Sequence, residues 1–289
     1  MNSSRSKKEN TAPKANLKTS KEYRYKTVNI GLFMDDTGFS KNSAKPGESI
    51  PPFELITTSG EHLTNGDVFK DKPVLFVFGS LTCPMTTSST PDIKKRYEEF
   101  GDQIDFIMLQ VREAHPGELI PQPDTIEEKI KNAQSLKKFY DIQWTVAADN
   151  IDGDLHRALD PKPNSVFLAD SNGVILFRSL WAGDDSAVHQ AIEAVATGKT
   201  LNRKQSASMV APIIEAFTTY DETLRRGGPQ AAKDMWRSVF PAALAARTAT
   251  FFTTLSPKKR GYAAVLTLVV VLVVVLGLLG YGIFSFVDV

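Results

Sequence analysis

From Gly261 to Val287 the chain carries no charged residue, and Val265 to Leu279 is almost wholly Val, Leu and Gly. An apolar run longer than about 20 residues matches the hydrocarbon thickness of a bilayer and is expected to cross it as a helix. A soluble core helix of that length would keep a polar face, and this run has none. The spacing predicts a transmembrane helix over 262–287. Only Asp288 and Val289 follow it, so the expected topology is a single-pass C-terminal anchor. Lys258, Lys259 and Arg260 stand immediately before it. Positive residues are retained on the cytoplasmic side, which puts the long N-terminal part in the cytoplasm.

The remainder divides by composition. Residues 1–44 are expected to be a disordered, basic N-terminal region, since Met1 to Lys26 is rich in Lys, Ser and Asn. It is read as a solvated tail, with contact to an anionic membrane surface as the alternative. The polar N-terminus has no apolar core, so no signal peptide is expected. The formal net charge of +1 argues against nucleic acid as a partner. One Cys in 289 residues excludes an internal disulfide framework.

Residues 45–200 alternate strand and helix. Val74 to Phe78 is a continuous apolar run, as expected for a central strand covered on both faces. A helix through Lys94, Tyr97 and Phe100 follows, then a strand over Ile104 to Val111, a helix over Asp124 to Tyr140, a strand over Trp144 to Ala148 and a short helix over Leu155 to Leu159. Ser165 to Leu168 and Val174 to Phe177 are joined through Asn172-Gly173, the strongest short hairpin signal. Ser186 to Thr197 is expected to close the domain as a helix. The order implies an α/β fold, a mixed sheet with helices on both faces. Residues 201–256 read as two helices broken at Arg226-Gly227-Gly228-Pro229. Met209, Ile213, Ile214, Phe217 and Leu224 line one helical face, and Met235, Trp236, Val239, Phe240 and Leu244 the other. Three placements stay open for this C-terminal helical extension: packing on the domain, pairing as a homodimer, or lying on the membrane.

The chemistry centres on Cys83. It falls where the first central strand hands over to a helix, facing the unpaired amides and positive end of that helix, which favour thiolate. Helix N-termini lower a cysteine pKa from about 8.5 toward neutrality. Pro84 suits the first turn. The Thr86 hydroxyl can reach the sulfur, and Ser80 can donate to the sulfur or to a bound oxygen. Polar Ser80, Thr82, Thr86 and Thr87 around the thiol suit a reactive site; a buried, inert Cys is the alternative. Glu113 and His115 end the strand after Ile104, at the sheet edge where Cys83 lies, and His115 titrates where proton transfer near neutrality needs it. His62, His156 and His189 show no metal spacing, so no metal is expected.

The spacing from Cys83 to Pro91 resembles the thioredoxin pattern, with Cys83 at the nucleophilic cysteine of Cys-x-x-Cys and Thr86 at the second. Pro163, before Asn164-Ser165-Val166-Phe167, resembles the cis-proline that faces the active sulfur in that fold. Phe78-Gly79-Ser80-Leu81-Thr82-Cys83-Pro84 and Val111-Arg112-Glu113-Ala114-His115-Pro116 together resemble the redoxin branch that contains the iodothyronine deiodinases. In those, Gly-Ser-x-Thr precedes a catalytic selenocysteine and Glu-Ala-His-Pro ends a strand. The resemblance implies a thioredoxin-like fold, catalytic roles for Cys83, Thr86, Ser80, Glu113 and His115, and substrate binding at Pro163. It departs in having Cys for selenocysteine and an anchor at the opposite end.

The expected function is a membrane-anchored thiol oxidoreductase that uses Cys83 to reduce a small peroxide or disulfide. With no second Cys, an external thiol such as glutathione or thioredoxin must resolve the oxidised sulfur, and no bound cofactor is required. A Ser three residues before Cys-Pro also resembles peroxiredoxins. Two alternatives stand beside it: a deiodinase-like reductive dehalogenase acting on a halogenated substrate, and a non-catalytic binding or redox-sensing module.

Overall fold

The computed structural model describes residues 20–287; the part of the N-terminal expectation that falls on residues 1–19 lies outside them. In chain order the elements are α1 (Ser20–Tyr23), α2 (Ile30–Asp35), β1 (Glu54–Thr57), β2 (His62–Thr64), α3 (Asn65–Val68), β3 (Val74–Gly79) and α4 (Pro84–Phe100). They continue with β4 (Asp105–Gln110), α5 (Ile126–Tyr140), β5 (Thr145–Ala148), α6 (Asp154–Leu159), β6 (Val166–Ala169), β7 (Ile175–Ser179) and α7 (Asp185–Ala196). After a short β8 (Gln205–Ser206) come α8 (Val210–Gly227), α9 (Pro229–Ser238), α10 (Phe240–Ala249) and α11 (Pro257–Val287).

The strands form one mixed sheet in the order β2-β1-β5-β4-β3-β6-β7-β8. The fold is thioredoxin-like: β3 runs parallel to β4 and β4 to β5, while β6 and β7 form an antiparallel hairpin beside β3. Every residue of β3 is buried. Its side chains alternate between faces. Leu75 and Val77 pack with Ile93 of α4, Leu136 of α5 and Ile192 of α7; Phe76 and Phe78 pack on the other side with Leu155 and Leu159 of α6. This buries the strand that delivers Cys83 and fixes where its C-terminal end lies. At that end Gly79 is required by close approach, because a Cβ there would come within 2.9 Å of Thr86 Cγ2.

Two expectations are corrected. Residues 23–44 are folded, not disordered: Tyr23 Oη bonds His156 Nδ1 at 2.9 Å, Tyr25 Oη donates to the Ala114 carbonyl at 2.9 Å, and the Val28 amide donates to Asp234 Oδ2 at 3.1 Å. The basic composition of the first residues masks an apolar content that begins at Tyr23 and includes Val28, Phe33 and Phe39. The helical extension has three helices where two were expected. Val239 leaves helical geometry (φ −141°, ψ 55°) ahead of Pro241, whose ring cannot supply a helical N–H.

Of the three placements for that extension, the structure has packing on the domain. α8 lies across α4: Thr219 Oγ1 donates to the Pro84 carbonyl at 2.9 Å, and Arg226 Nη1 donates to the Leu81 carbonyl at 2.8 Å. The guanidinium of Arg226 also stacks 3.8 Å from the Phe139 ring centre. α8, α9 and α10 share one apolar cluster with Cys83, Met85 and Trp181, and Val265 and Leu268 of α11 pack against it. Pro257–Leu279 within α11 is long and apolar enough to cross a membrane.

Candidate functional site

Cys83 is the residue that caps α4, extended at φ −97° and ψ 112°, with Pro84 in the first turn. Its amide donates to the Ser80 carbonyl at 3.3 Å and its carbonyl accepts from the Thr87 amide at 3.1 Å. The Thr86 hydroxyl and the Thr86 and Met85 amides face the sulfur and favour thiolate, as the helix position implies. Burial outweighs them. Cys83 is 1% exposed, and loss of water pushes its thiol up to about 11, with the nearby charge of Asp36 adding to the rise. This corrects the expectation of a lowered thiol. The cause is tertiary, since the segment before β1 and the start of α8 close over the sulfur.

The enclosing cavity, about 50 Å³, is lined by Cys83, Pro84, Met85, Ala114, His115, Pro163 and Trp181, together with Tyr25, Leu32, Phe33 and Asp36 from the segment before β1 and Met209, Ile213 and Tyr220 from the α8 region. Such a volume holds little more than a water or two. Any organic substrate therefore needs a wall to move. His115 Nδ1 and Trp181 Nε1 are buried and make no hydrogen bond among the described residues. Burial drives His115 down to about 4, so its imidazole is neutral at pH 7. The Tyr220 ring meets it edge-on, with centroids 6.0 Å apart.

The remaining expected residues hold this arrangement from behind. Glu113 Oε2 accepts from the Thr82 amide at 3.0 Å and from Thr82 Oγ1 at 2.6 Å, while Oε1 accepts from Gln110 at 2.9 Å and Asn132 at 3.1 Å. Burial raises its pKa and these donors pull it back. Thr82 Oγ1 also accepts the His115 amide at 3.1 Å, and Ser80 Oγ accepts the Ala114 amide at 3.2 Å. The loop before Cys83 and the chain after β4 are thus stitched together. Ser80 and Glu113 do not line the cavity; they position Cys83 and His115. Pro163 does line it, but the structure has no cis peptide among the described residues, so the Lys162–Pro163 bond is trans. The trans form is the default for X–Pro by about 0.5–1 kcal/mol, and here the Lys162 carbonyl is held by His156 Nε2 at 2.8 Å.

Sequence reasoning missed Trp181, Tyr220, Tyr25 and Phe33. Met209 and Ile213 were visible as one helical face, which extends to Tyr220; nothing local marked that face as the wall of the Cys83 cavity.

A family model described as iodothyronine deiodinase matches residues 3–178. The chain belongs to the iodothyronine deiodinase family. Among its relatives, the type II iodothyronine deiodinase of Fundulus heteroclitus is 29% identical over 123 residues, covering 38% of this chain and 46% of that protein. The Homo sapiens type II iodothyronine deiodinase is 31% identical over 102 residues, covering 30% and 37%. The chain thus spans less than half the length of these relatives. Similar solved structures include an uncharacterized conserved protein from Geobacillus kaustophilus, at TM-score 0.45 and 15% identity over 56% of this chain and 87% of that one. Another is the thioredoxin domain of a thiol-disulfide oxidoreductase from Bacteroides vulgatus, at TM-score 0.41 and 20% identity over 52% and 99%. The family's match takes in β3, Cys83, Glu113, His115 and Pro163 and ends in β7, ahead of α8.

His115 yields an acid-stability prediction. Its folded pKa lies near 4 against an ordinary 6.5. The stability this contributes is present above about pH 6.5 and lost as pH falls through 4, amounting to roughly 3 kcal/mol. His156, also buried and depressed, adds to the same window. Denaturant midpoints should fall between pH 7 and pH 4, and His115→Phe should flatten that fall. An unchanged slope in the variant would show that His115 is not held neutral.

Proposed function

We propose that the protein is a membrane-anchored thiol reductase whose reacting atom is Cys83 Sγ. The observation that carries this reading is a lone thiol at a helix cap, in a small cavity that it shares with a neutral imidazole whose Nδ1 has no hydrogen-bond partner among the described residues. His115 lines the same cavity, and its unpartnered Nδ1 is available to hydrogen-bond a bound peroxide and orient it toward the sulfur. The thiolate attacks a peroxide oxygen, forming Cys83–SOH and releasing an alkoxide that takes up a proton. A first external thiol condenses with the sulfenic acid, releasing water and leaving a mixed disulfide; a second restores Cys83 and leaves as the disulfide. Glutathione or thioredoxin fits this role, since the chain has one Cys.

A second reading, reductive dehalogenation, is favoured by the family match. There the thiolate takes the halogen from carbon as Cys83–S–X, the carbon gains a proton, and external thiols again regenerate Cys83 with release of halide.

Full-length protein with tert-butyl hydroperoxide alone is expected to turn over about once per Cys83 and stall. Added glutathione or thioredoxin restores cycling, and Cys83→Ser lowers the rate at least about 1,000-fold, toward the uncatalysed level. Iodide release from an iodophenol under the same thiols would favour the second reading. Loss of neither substrate would leave the non-catalytic alternative standing.

A further inference from the structure

The wall of the Cys83 cavity and the footing of the apolar helix are the same piece of protein. α11 contains 31 residues, about 46 Å at 1.5 Å per residue, whereas the hydrocarbon of a bilayer is about 30 Å thick. Roughly 16 Å is left over, and the structure uses its first part for docking. Thr218 Oγ1 donates to the Pro257 carbonyl at 2.6 Å. Lys258 Nζ pairs with Asp92 of α4 at 2.8 Å and Glu215 of α8 at 3.4 Å. Gly261 lies so close to α8 that a Cβ there would overlap the Ile214 carbonyl oxygen. Farther on, Val265 and Leu268 pack on the cluster flanked by Met209 and Ile213. Beyond them, Val269 to Val275 turn outward with no protein over them.

These contacts fix a direction. Pro257 meets Thr218 and Gly261 meets Ile214, so α8 runs antiparallel to α11 and its first turn points toward the bare apolar stretch. That first turn supplies Met209 and Ile213 to the cavity. Between them, Val210 is 71% exposed. The cavity is lined also by α2, through Leu32 and Phe33, which leaves Ile30 and Met34 53% and 58% exposed. Exposed large apolar side chains on two of the helices that line the cavity suit a lipid surface.

We propose that the Cys83 cavity opens at the bilayer surface, between α2 and the first turn of α8, and takes a lipid-borne hydroperoxide from the membrane. The substrate class rests on the thiol-reductase reading above. The reaction is LOOH + 2 R′SH → LOH + H₂O + R′SSR′, with Cys83 carrying the oxidised sulfur between its two halves.

The lone cysteine makes access measurable without turnover. Full-length protein in phosphatidylcholine vesicles is labelled with N-dodecylmaleimide or with a sulfonated maleimide. The reference is Glu61→Cys in a Cys83→Ser background, a thiol on the exposed β1–β2 turn. The dodecyl-to-sulfonate rate ratio is expected to be at least tenfold higher at Cys83 than at the reference, and to drop severalfold in Val210→Asp and in Ile30→Asp. Equal ratios, or a ratio that neither variant changes, would overturn membrane access. Phospholipid hydroperoxide in the same vesicles with glutathione should be consumed. Preferential labelling without that consumption overturns the lipid hydroperoxide as substrate. tert-Butyl hydroperoxide turnover without preferential labelling overturns membrane access and leaves the thiol-reductase reading intact.

Discussion

Alkylation of Cys83 by iodoacetamide is expected to be slow at pH 7 and to quicken about tenfold per pH unit, levelling only near pH 11. The thiolate is the nucleophile, and burial holds this thiol up to about 11, so at pH 7 about one molecule in 10,000 carries it. Opening the wall should reverse this. Tyr220→Ser removes a ring from the α8 side of the cavity and admits water. A return of about two pKa units raises the thiolate fraction about 100-fold, but nucleophilicity falls with pKa at a Brønsted slope near 0.45. The net gain at pH 7 is therefore up to roughly tenfold. Thermodynamic linkage gives a second readout of the same group. A thiol whose folded pKa is raised stabilises the fold below its ordinary pKa near 9 and loses that contribution as pH rises through 11. Fast alkylation that is independent of pH below 7 would mean that the cavity stands open in solution.

Glu113→Ala is expected to cost about 3–5 kcal/mol, over 100-fold in the folding equilibrium, because it strips the acceptor from four donors at once. Thr82 and Gln110 are left with buried donors, and Asn132 with a part-buried one, and no carboxylate. The loss should reach Cys83 as well, since Thr82 is its chain neighbour and also receives the His115 amide. Glu113→Gln keeps an acceptor oxygen and should cost less. Urea titration of all three proteins in the same detergent measures the order. A loss below about 1 kcal/mol in the Ala variant would show that the network aligns the loops without supporting the fold.

What could be read from the sequence follows from how local each signal is. β3, β4 and β5 were legible because a buried parallel strand is a continuous apolar run. The β6–β7 turn was legible because Gly173 takes a φ of 79°, which the Asn-Gly pair announces. The β1–β2 hairpin was not, since β2 is three residues long and two of the three are polar. At the site, the position of Cys83 at the cap of α4 and the approach of His115 follow from strand order. Their protonation does not. It is set by Tyr25, Phe33, Met209 and Tyr220, which reach the sulfur only through tertiary folding. The Lys162–Pro163 bond was misjudged because an X–Pro sequence carries no mark of its isomer; the His156 contact with the Lys162 carbonyl appears only in three dimensions.

The wall over Cys83 has an order of arrival. Chains are made from the N-terminus, and domains fold as they emerge. β3, α4, β4 and the hairpin are complete before α8 exists, and the Val28 amide has no Asp234 to bond until α9 follows. During that interval the thiol lacks its α8 wall, and its exposure to water and to oxidants is expected to be greatest. The newborn protein is thus expected to be more easily oxidised at Cys83 than the mature one. Its passage from vulnerable to shielded waits on α8 and α9, the helices that complete the wall.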